Sequence, residues 1–214
     1  MYEYRICSYS GCSRQSIVDG SESCEGSDGS ENGFCLNHHP EYSMEKLSRK
    51  LSEKKLHREL SYPRLELSDT VMNTRIFMNC DFNRSRFRNC SFTGCTFHSV
   101  VLDHAQFINC DLTTVHCVNC IFACSRIENC TFEDSHLVQN NFNYSQISGT
   151  TFNISDLTHS RFISTEMKNC SMKDCNVKNV IFLNAAMENI SFKYSNTMDA
   201  VFDDEKRHGI CHET

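Results

Sequence analysis

The chain has 214 residues, of which 39% are hydrophobic and 22% charged, and its net charge of −6 argues against broad binding to nucleic acid or to anionic membranes. No segment approaches the roughly 20 consecutive apolar residues of a membrane helix, and the first residues, MYEYRICSYSGCSR, lack the apolar core of a secretory signal. Fifteen cysteines on such a chain predict a reducing, cytoplasmic location and thiols that are free or bound to metal.

Residues 1–40 are predicted to form a small zinc knuckle around a flexible loop at 13–34. The motif is C-x4-C followed by C-x2-H, and its four candidate ligands are Cys7, Cys12, Cys35 and His38. Two such close pairs suit tetrahedral coordination of a structural Zn²⁺. The loop is rich in serine, glycine and acidic residues. This segment therefore has too few apolar groups to fold without a bound metal. The sequence leaves undecided whether Cys24 or His39 replaces one of these four ligands.

Residues 41–61 are predicted to form a linker helix. Ser43 is placed to cap its N-terminus, the helix is expected to run to Leu60, and Pro63 follows just after its end. One side of this helix is apolar and the other is rich in lysine and glutamate. The apolar positions are Met44, Leu47, Leu51, Leu56 and Leu60. We expect the helix to cap the open end of the domain that follows it.

Residues 62–204 carry a repeat of five residues. Fourteen of the fifteen phenylalanines fall in one register, which runs from Phe77 to Phe202 in steps of five without a slip. Two residues before most of these central positions lies a small or β-branched residue, with Asn140 as an exception in polarity and Ile190 in size, and the position two residues after them is rich in asparagine and other turn formers. A period of five fits neither a helix nor a continuous strand, so it predicts short extended segments separated by corners.

The pentads CDFNR, CSFTG, CTFHS, CDLTT and CTFED resemble those of the pentapeptide-repeat family, over about two thirds of the chain. The resemblance implies an all-β solenoid, a right-handed quadrilateral parallel β-helix with four pentads in each coil. Residues 205–214 would form a C-terminal tail or cap. Members of this family preceded by a Cys/His knuckle look similar to the present arrangement.

The repeat also predicts where the cysteines lie. Most of them occupy the small inward column and are expected to be buried and inert, whereas Cys124 falls at a corner and is expected to be exposed. The inward cysteines are Cys80, Cys90, Cys95, Cys110, Cys120, Cys130, Cys170 and Cys175, with Cys117 at a central position.

One outward face of the predicted solenoid is apolar, which usually marks a docking surface. Its residues are Val101, Ile121, Ile163, Ile181, Leu183 and Val201. Either the helix or the tail folds back over this face, or a protein partner or a second copy of the chain binds there. On another face, His116, His136 and Asp156 are expected to stack in consecutive coils.

No catalytic constellation or phosphate-cradling loop is present in the sequence, and a tube with a filled core leaves little room for a small-molecule substrate. The pattern therefore favours a non-enzymatic scaffold for protein–protein interaction. The resemblance implies an alternative, since some members of the family mimic DNA and modulate type II topoisomerases such as DNA gyrase. Residues 75–204 carry thirteen acidic and ten basic side chains, a weak excess for such a mimic.

Overall fold

A computed structural model describes residues 6–17, 35–38 and 43–203. Over most of this length the chain forms a parallel β-solenoid of about seven turns with one short helix before it. Several features predicted from the sequence lie outside the described residues: Cys24, His39, most of the loop at 13–34 and the tail at 205–214.

The solenoid is built from twelve short strands in the part of the chain that the structure describes. In chain order they are β1 Leu56–Arg58, β2 Glu66–Ser68, β3 Ile76–Met78, β4 Arg86–Arg88, β5 Thr96–His98, β6 Gln106–Ile108, β7 His116–Val118, β8 Arg126–Glu128, β9 His136–Val138, β10 Gln146–Ser148, β11 Glu166–Ser171 and β12 Ala186–Ser191.

The strands pair in parallel with a register of twenty residues, as in the pairing of Phe77 with Phe97. Two sides of the tube are sheets, one of β1, β3, β5, β7 and β9, the other of the even-numbered strands and β11. The remaining two sides are rows of single parallel bridges, including Val101 with Ile121 and Thr131 with Thr151. Four sides of five residues account for the twenty-residue coil, and the predicted β-solenoid is confirmed.

The corners explain the asparagine-rich column. Every fifth residue from Glu59 to Asp199 has a positive φ, a region that asparagine and glycine tolerate better than other residues. At Gly149 a Cβ would lie 2.5 Å from the Asn129 side-chain oxygen, so any other residue there would displace the Asn129 side chain. At the same edge, the side-chain amide of each corner asparagine donates a hydrogen bond to the corner side chain of the previous coil. The series is Asp69, Asn89, Asn109 and Asn129.

Stacked aromatic rings fill the interior. Phe122, Phe142, Phe162, Phe182 and Phe202 form a continuous column with successive ring centroids 4.8–5.1 Å apart and the planes within 18° of parallel. All five are buried or nearly so. Offset stacking of this kind stabilises a core beyond the area that it buries.

The small inward column does more than fill space. Cys120 donates its thiol hydrogen to the Phe97 carbonyl at 3.3 Å, and the hydroxyl of Ser155 donates to the Phe132 carbonyl at 2.7 Å. Asn140 places a larger amide side chain in this column. It is fully buried and fully engaged, because its amide nitrogen donates to the Cys117 carbonyl and its oxygen accepts from the Cys120 backbone. Each such bond ties one coil to the previous one.

The helix, α1, spans Met44–Glu53 and is shorter than predicted. The backbone nitrogen of Lys46 donates to the Ser43 hydroxyl, which confirms Ser43 as the N-cap. The prediction that the helix continues to Leu60 is wrong. Lys54 is extended, and the residues after it form β1, because pairing with β3 in the five-residue register satisfies their backbone groups.

Helix α1 packs against the first coil. Leu47 and Leu51 are buried in the same hydrophobic cluster as the solenoid interior. His57 occupies a central position of the first coil, where its ring stacks on Phe77 and donates from Nε2 to the Leu51 carbonyl at 3.0 Å. Burial lowers the pKa of His57, which favours the neutral ring. The helix is therefore joined to the tube by both apolar and polar contacts.

Candidate functional site

The first half of the candidate metal centre is a tight turn. The backbone nitrogen of Cys7 donates to the Arg14 carbonyl at 2.8 Å, and that of Cys12 donates to the Tyr9 carbonyl at 3.0 Å. Gly11 has a φ of +77°, which lets the chain reverse just before Cys12. The turn brings the two thiols of the C-x4-C pair to the same side.

The second half is a single turn in which the His38 backbone nitrogen donates to the Cys35 carbonyl at 3.0 Å. The ring of Tyr9 stacks on the ring of His38 with centroids 4.0 Å apart. This contact orients the imidazole so that its Nδ1 atom faces the thiols of Cys7 and Cys35. Both cysteines are buried.

The four predicted ligands converge. One ligand atom from each of Cys7, Cys12, Cys35 and His38 lies within 4.8 Å of the other three. The sulfur atoms of Cys12 and Cys35 are 3.9 Å apart, and Nδ1 of His38 lies 3.5 Å from the Cys7 sulfur and 3.6 Å from that of Cys35. Tetrahedral zinc, with bonds of about 2.3 Å to sulfur and 2.0–2.1 Å to nitrogen, requires edges of about 3.8 and 3.6 Å.

The electrostatics of the thiols differ within this group. Burial acts to raise the pKa of Cys7, but hydrogen bonds from the backbone at Cys35 and Tyr9 outweigh it and lower the pKa to about 6. Burial raises the pKa of Cys35, and the neighbouring thiols of Cys7 and Cys12 raise it further. The site thus holds one thiolate readily, and a bound cation would offset the cost of forming the others.

The knuckle is anchored to the solenoid through a buried carboxylate that sequence reasoning missed. Asp81 is 2% exposed although its place in the repeat points outward. Its side-chain oxygens accept hydrogen bonds from Gln15, Ser61 and Asn83. Gln15 belongs to the knuckle, where it also forms an antiparallel bridge with Ile6. No sequence spacing links Gln15 to Asp81, so this contact emerges only from the fold.

The predicted apolar residues lie on one side of the tube. Val101 pairs with Ile121, and Ile181 pairs with Val201, in a single row of bridges. Ile163 and Leu183 are each two positions from this row, beside it in neighbouring coils. Helix α1 packs next to β2 instead of over the row. Ile121, Leu183 and Val201 are 38–40% exposed, and the other three are half-buried.

The predicted histidine ladder is also present. His116 and His136 occupy paired positions with ring centroids 5.9 Å apart, and Nδ1 of His136 lies 3.7 Å from the Asp156 carboxylate. These side chains are exposed at the surface of the first sheet. Among residues 6–17, 35–38 and 43–203, only the knuckle brings three or more potential metal ligands this close together. No helix in the described ranges is long and apolar enough to cross a membrane.

Comparisons with solved structures find other solenoids at low identity. Trypsin-treated QnrB1, a plasmid-mediated fluoroquinolone resistance protein, is 16% identical, with 72% of this chain and 87% of that chain covered and a TM-score of 0.38. HetL, a pentapeptide repeat protein involved in heterocyst differentiation regulation from the cyanobacterium Nostoc sp. strain PCC 7120, is 8% identical, with coverages of 74% and 93% and a TM-score of 0.27.

Rfr23, a pentapeptide repeat protein from the cyanobacterium Cyanothece 51142, is 9% identical, with coverages of 75% and 100% and a TM-score of 0.29. A search of curated proteins found no match. Residues 76–113 match the family model for pentapeptide repeats, with eight copies. This match lies within the register that runs through the parallel coils and their left-handed corners. Residues 76–113 therefore carry pentapeptide repeats, and the same five-residue register continues through the coils that follow them.

Proposed function

We propose that this protein is a non-enzymatic scaffold for protein–protein interaction. In the described part of the chain, the cavity among the phenylalanines of the first coils measures about 10 Å³, which is too small for a substrate, since ligand pockets span about 300–1,000 Å³. What the tube offers is a rigid outer surface on which side chains repeat at the spacing of stacked strands.

The observation that carries the proposal is the order of residues along the apolar row. Consecutive coils present Val101, Ile121, Asn141, Arg161, Ile181 and Val201. The apolar pairs Val101–Ile121 and Ile181–Val201 therefore lie on either side of the polar pair Asn141–Arg161. A second copy of the chain, placed antiparallel about that centre, would bring each apolar pair against the other pair and Asn141 opposite Arg161. Such a self-complementary patch is what a two-fold interface requires, and a second copy is the partner that we propose.

Replacing Ile181 and Leu183 together by aspartate tests this interface. We expect the wild-type chain to form a dimer by light scattering and the double variant to be a monomer, because four buried carboxylates would lie in one interface. The matched control replaces Ile154 and Tyr194 by aspartate, since both are exposed apolar residues at corners outside the row. A wild-type monomer, or a dimer that survives in the first variant, would exclude this face as the interface.

We propose further that Cys7, Cys12, Cys35 and His38 hold a structural Zn²⁺. Three sulfurs and one nitrogen at tetrahedral spacing complete the coordination shell of zinc without an open position for a substrate. The ion would join the two turns of the knuckle and fix them against the first coils, where Gln15 reaches Asp81. Its role is therefore to hold the N-terminal end of the scaffold in shape.

The alternative of a DNA mimic acting on a type II topoisomerase gains no support from the charge pattern. A mimic needs a concentrated acidic surface to compete for a basic groove. Here residues 75–204 carry only three more acidic than basic side chains, and opposite charges pair across coils, as in Arg86 with Glu66 at 3.2 Å and Lys168 with Glu188 at 2.9 Å. A supercoiling assay with DNA gyrase would test the alternative, and we expect no effect of this protein.

A further inference from the structure

A polar cleft of about 160 Å³ lies between the knuckle and the first coils of the solenoid. The knuckle contributes Arg14 and Asn37, and the solenoid contributes Arg64 and Arg84. Cys35, a candidate zinc ligand, also lines it. The cleft exists because the knuckle docks on the tube, and it is distinct from both the metal centre and the apolar row.

Its three arginines have no side-chain partner within the described residues. Among residues 6–17, 35–38 and 43–203, no hydrogen bond or ion pair is made by the guanidinium groups of Arg14, Arg64 and Arg84. Some solenoid arginines are paired, as Arg86 is with Glu66 and Arg126 with Glu128. What distinguishes Arg14, Arg64 and Arg84 is that all three line one cleft, where a bound anion would offset the repulsion between their guanidinium groups.

The backbone places two of these arginines one above the other. Arg64 and Arg84 occupy equivalent corners of consecutive coils, with φ of 62° and 57°, so their Cα atoms are one strand spacing of about 4.8 Å apart. The nearest buried carboxylate, Asp81, has its oxygens engaged by Gln15, Ser61 and Asn83 and forms no ion pair with these arginines. The guanidinium groups are therefore available to a ligand.

Charge is distributed unevenly along the helix and the solenoid. Residues 43–88 carry eleven basic and six acidic side chains, whereas residues 89–203 carry six basic and eleven acidic ones. The cleft lies at the basic end of the solenoid, next to residues of the N-terminal segment 1–42, which carries two basic and seven acidic side chains. The local field of the three arginines favours a small anion, while an extended polyanion such as nucleic acid would be repelled by the acidic remainder of the solenoid.

We propose that this cleft binds a dianionic phosphate group, either as free phosphate or as a phosphate monoester on a partner. Arginine suits this ligand because its planar fork donates two parallel hydrogen bonds to phosphate oxygens. The site rests on the proposed zinc function, because Asn37 and Arg14 reach it only when the knuckle is folded. A scaffold with such a site would recognise phosphorylated partners at one end.

Isothermal titration calorimetry on the full zinc-loaded chain tests this, with inorganic phosphate and O-phosphoserine as probes at constant ionic strength. We expect phosphate to bind and the double variant Arg64→Gln with Arg84→Gln to bind about tenfold more weakly or worse. Arg88→Gln is the control, because Arg88 is an exposed solenoid arginine outside the cleft. No binding by the wild-type chain, or equal weakening in the control, overturns the proposal.

The two probes identify the source of the phosphate group: binding of inorganic phosphate alone indicates the free ion, and binding of both indicates monoesters as well. Zinc content is measured on the same samples. Phosphate binding that depends on Arg64 and Arg84 without zinc would leave the cleft in place and refute the metal. Zinc present without phosphate binding would refute the cleft alone.

Discussion

Replacing Cys35 by serine is expected to reduce the zinc content from about one ion per chain to nearly none, because a neutral hydroxyl replaces one of three sulfur ligands. Cys35 is the buried thiol that contacts both Cys12 and His38. Metal analysis of protein purified from zinc-supplemented cells checks this expectation. We expect only a small change in the denaturant concentration at which the solenoid unfolds, since Leu36 is the one described knuckle residue buried in its core and Ile17 the one packed against that core.

Cys124→Ser is the matched control, because Cys124 is exposed at a corner of the tube and remote in the repeat from the knuckle. It should retain the full zinc content. Equal zinc in the two variants, or a wild-type chain that takes up no zinc, would show that the four ligands do not form a metal centre.

Replacing Phe142 by alanine is expected to lower the free energy of unfolding by about 3–5 kcal/mol, the usual cost of emptying a large buried site. Phe142 is fully buried, and its ring stacks at 4.8 Å on Phe122 and on Phe162. Because each coil contacts only its neighbours, the solenoid has few other ways to relax around the cavity. Urea unfolding followed by circular dichroism measures the loss.

The same substitution at the end of the column provides the comparison. Phe202 stacks on Phe182 alone within its column and is 9% exposed, so Phe202→Ala should cost about 1–2 kcal/mol. If the two variants lost the same stability, or if Phe142→Ala lost less than about 1 kcal/mol, the stacked column would not be the main source of core packing.

Much of the fold could be predicted because the repeat is encoded locally. A phenylalanine every five residues marks one side of a coil, and an asparagine two positions later marks the corner after it. Because this spacing is constant, successive coils are expected to stack in register. The end of α1 was predicted wrongly because Leu56 and Leu60 continue the helical stripe, although in the solenoid Leu60 is buried and Leu56 is exposed. Pairing with the next coil decided between helix and solenoid, and that is a long-range contact.

The candidate metal centre could be predicted because each pair of ligands lies on one short turn, so spacing carries the information. The phosphate cleft could not, because Arg14 is separated in sequence from Arg64 and Arg84, and only docking of the knuckle brings them to one cavity. Gln15 and Asp81, which hold the knuckle in place, carry no motif. Contacts between two distant segments of a chain produce no local sequence pattern from which they could be predicted.

Thiol labelling of the native chain, resolved by peptide mass spectrometry, tests most directly that the five-residue register builds a filled tube. Burial raises the pKa of Cys80, Cys95 and Cys175 to about 11, so at neutral pH they are protonated as well as inaccessible. We expect iodoacetamide to modify Cys124 rapidly and to reach these three only after unfolding. Labelling of Cys80, Cys95 and Cys175 in the native chain as fast as Cys124 would contradict the solenoid.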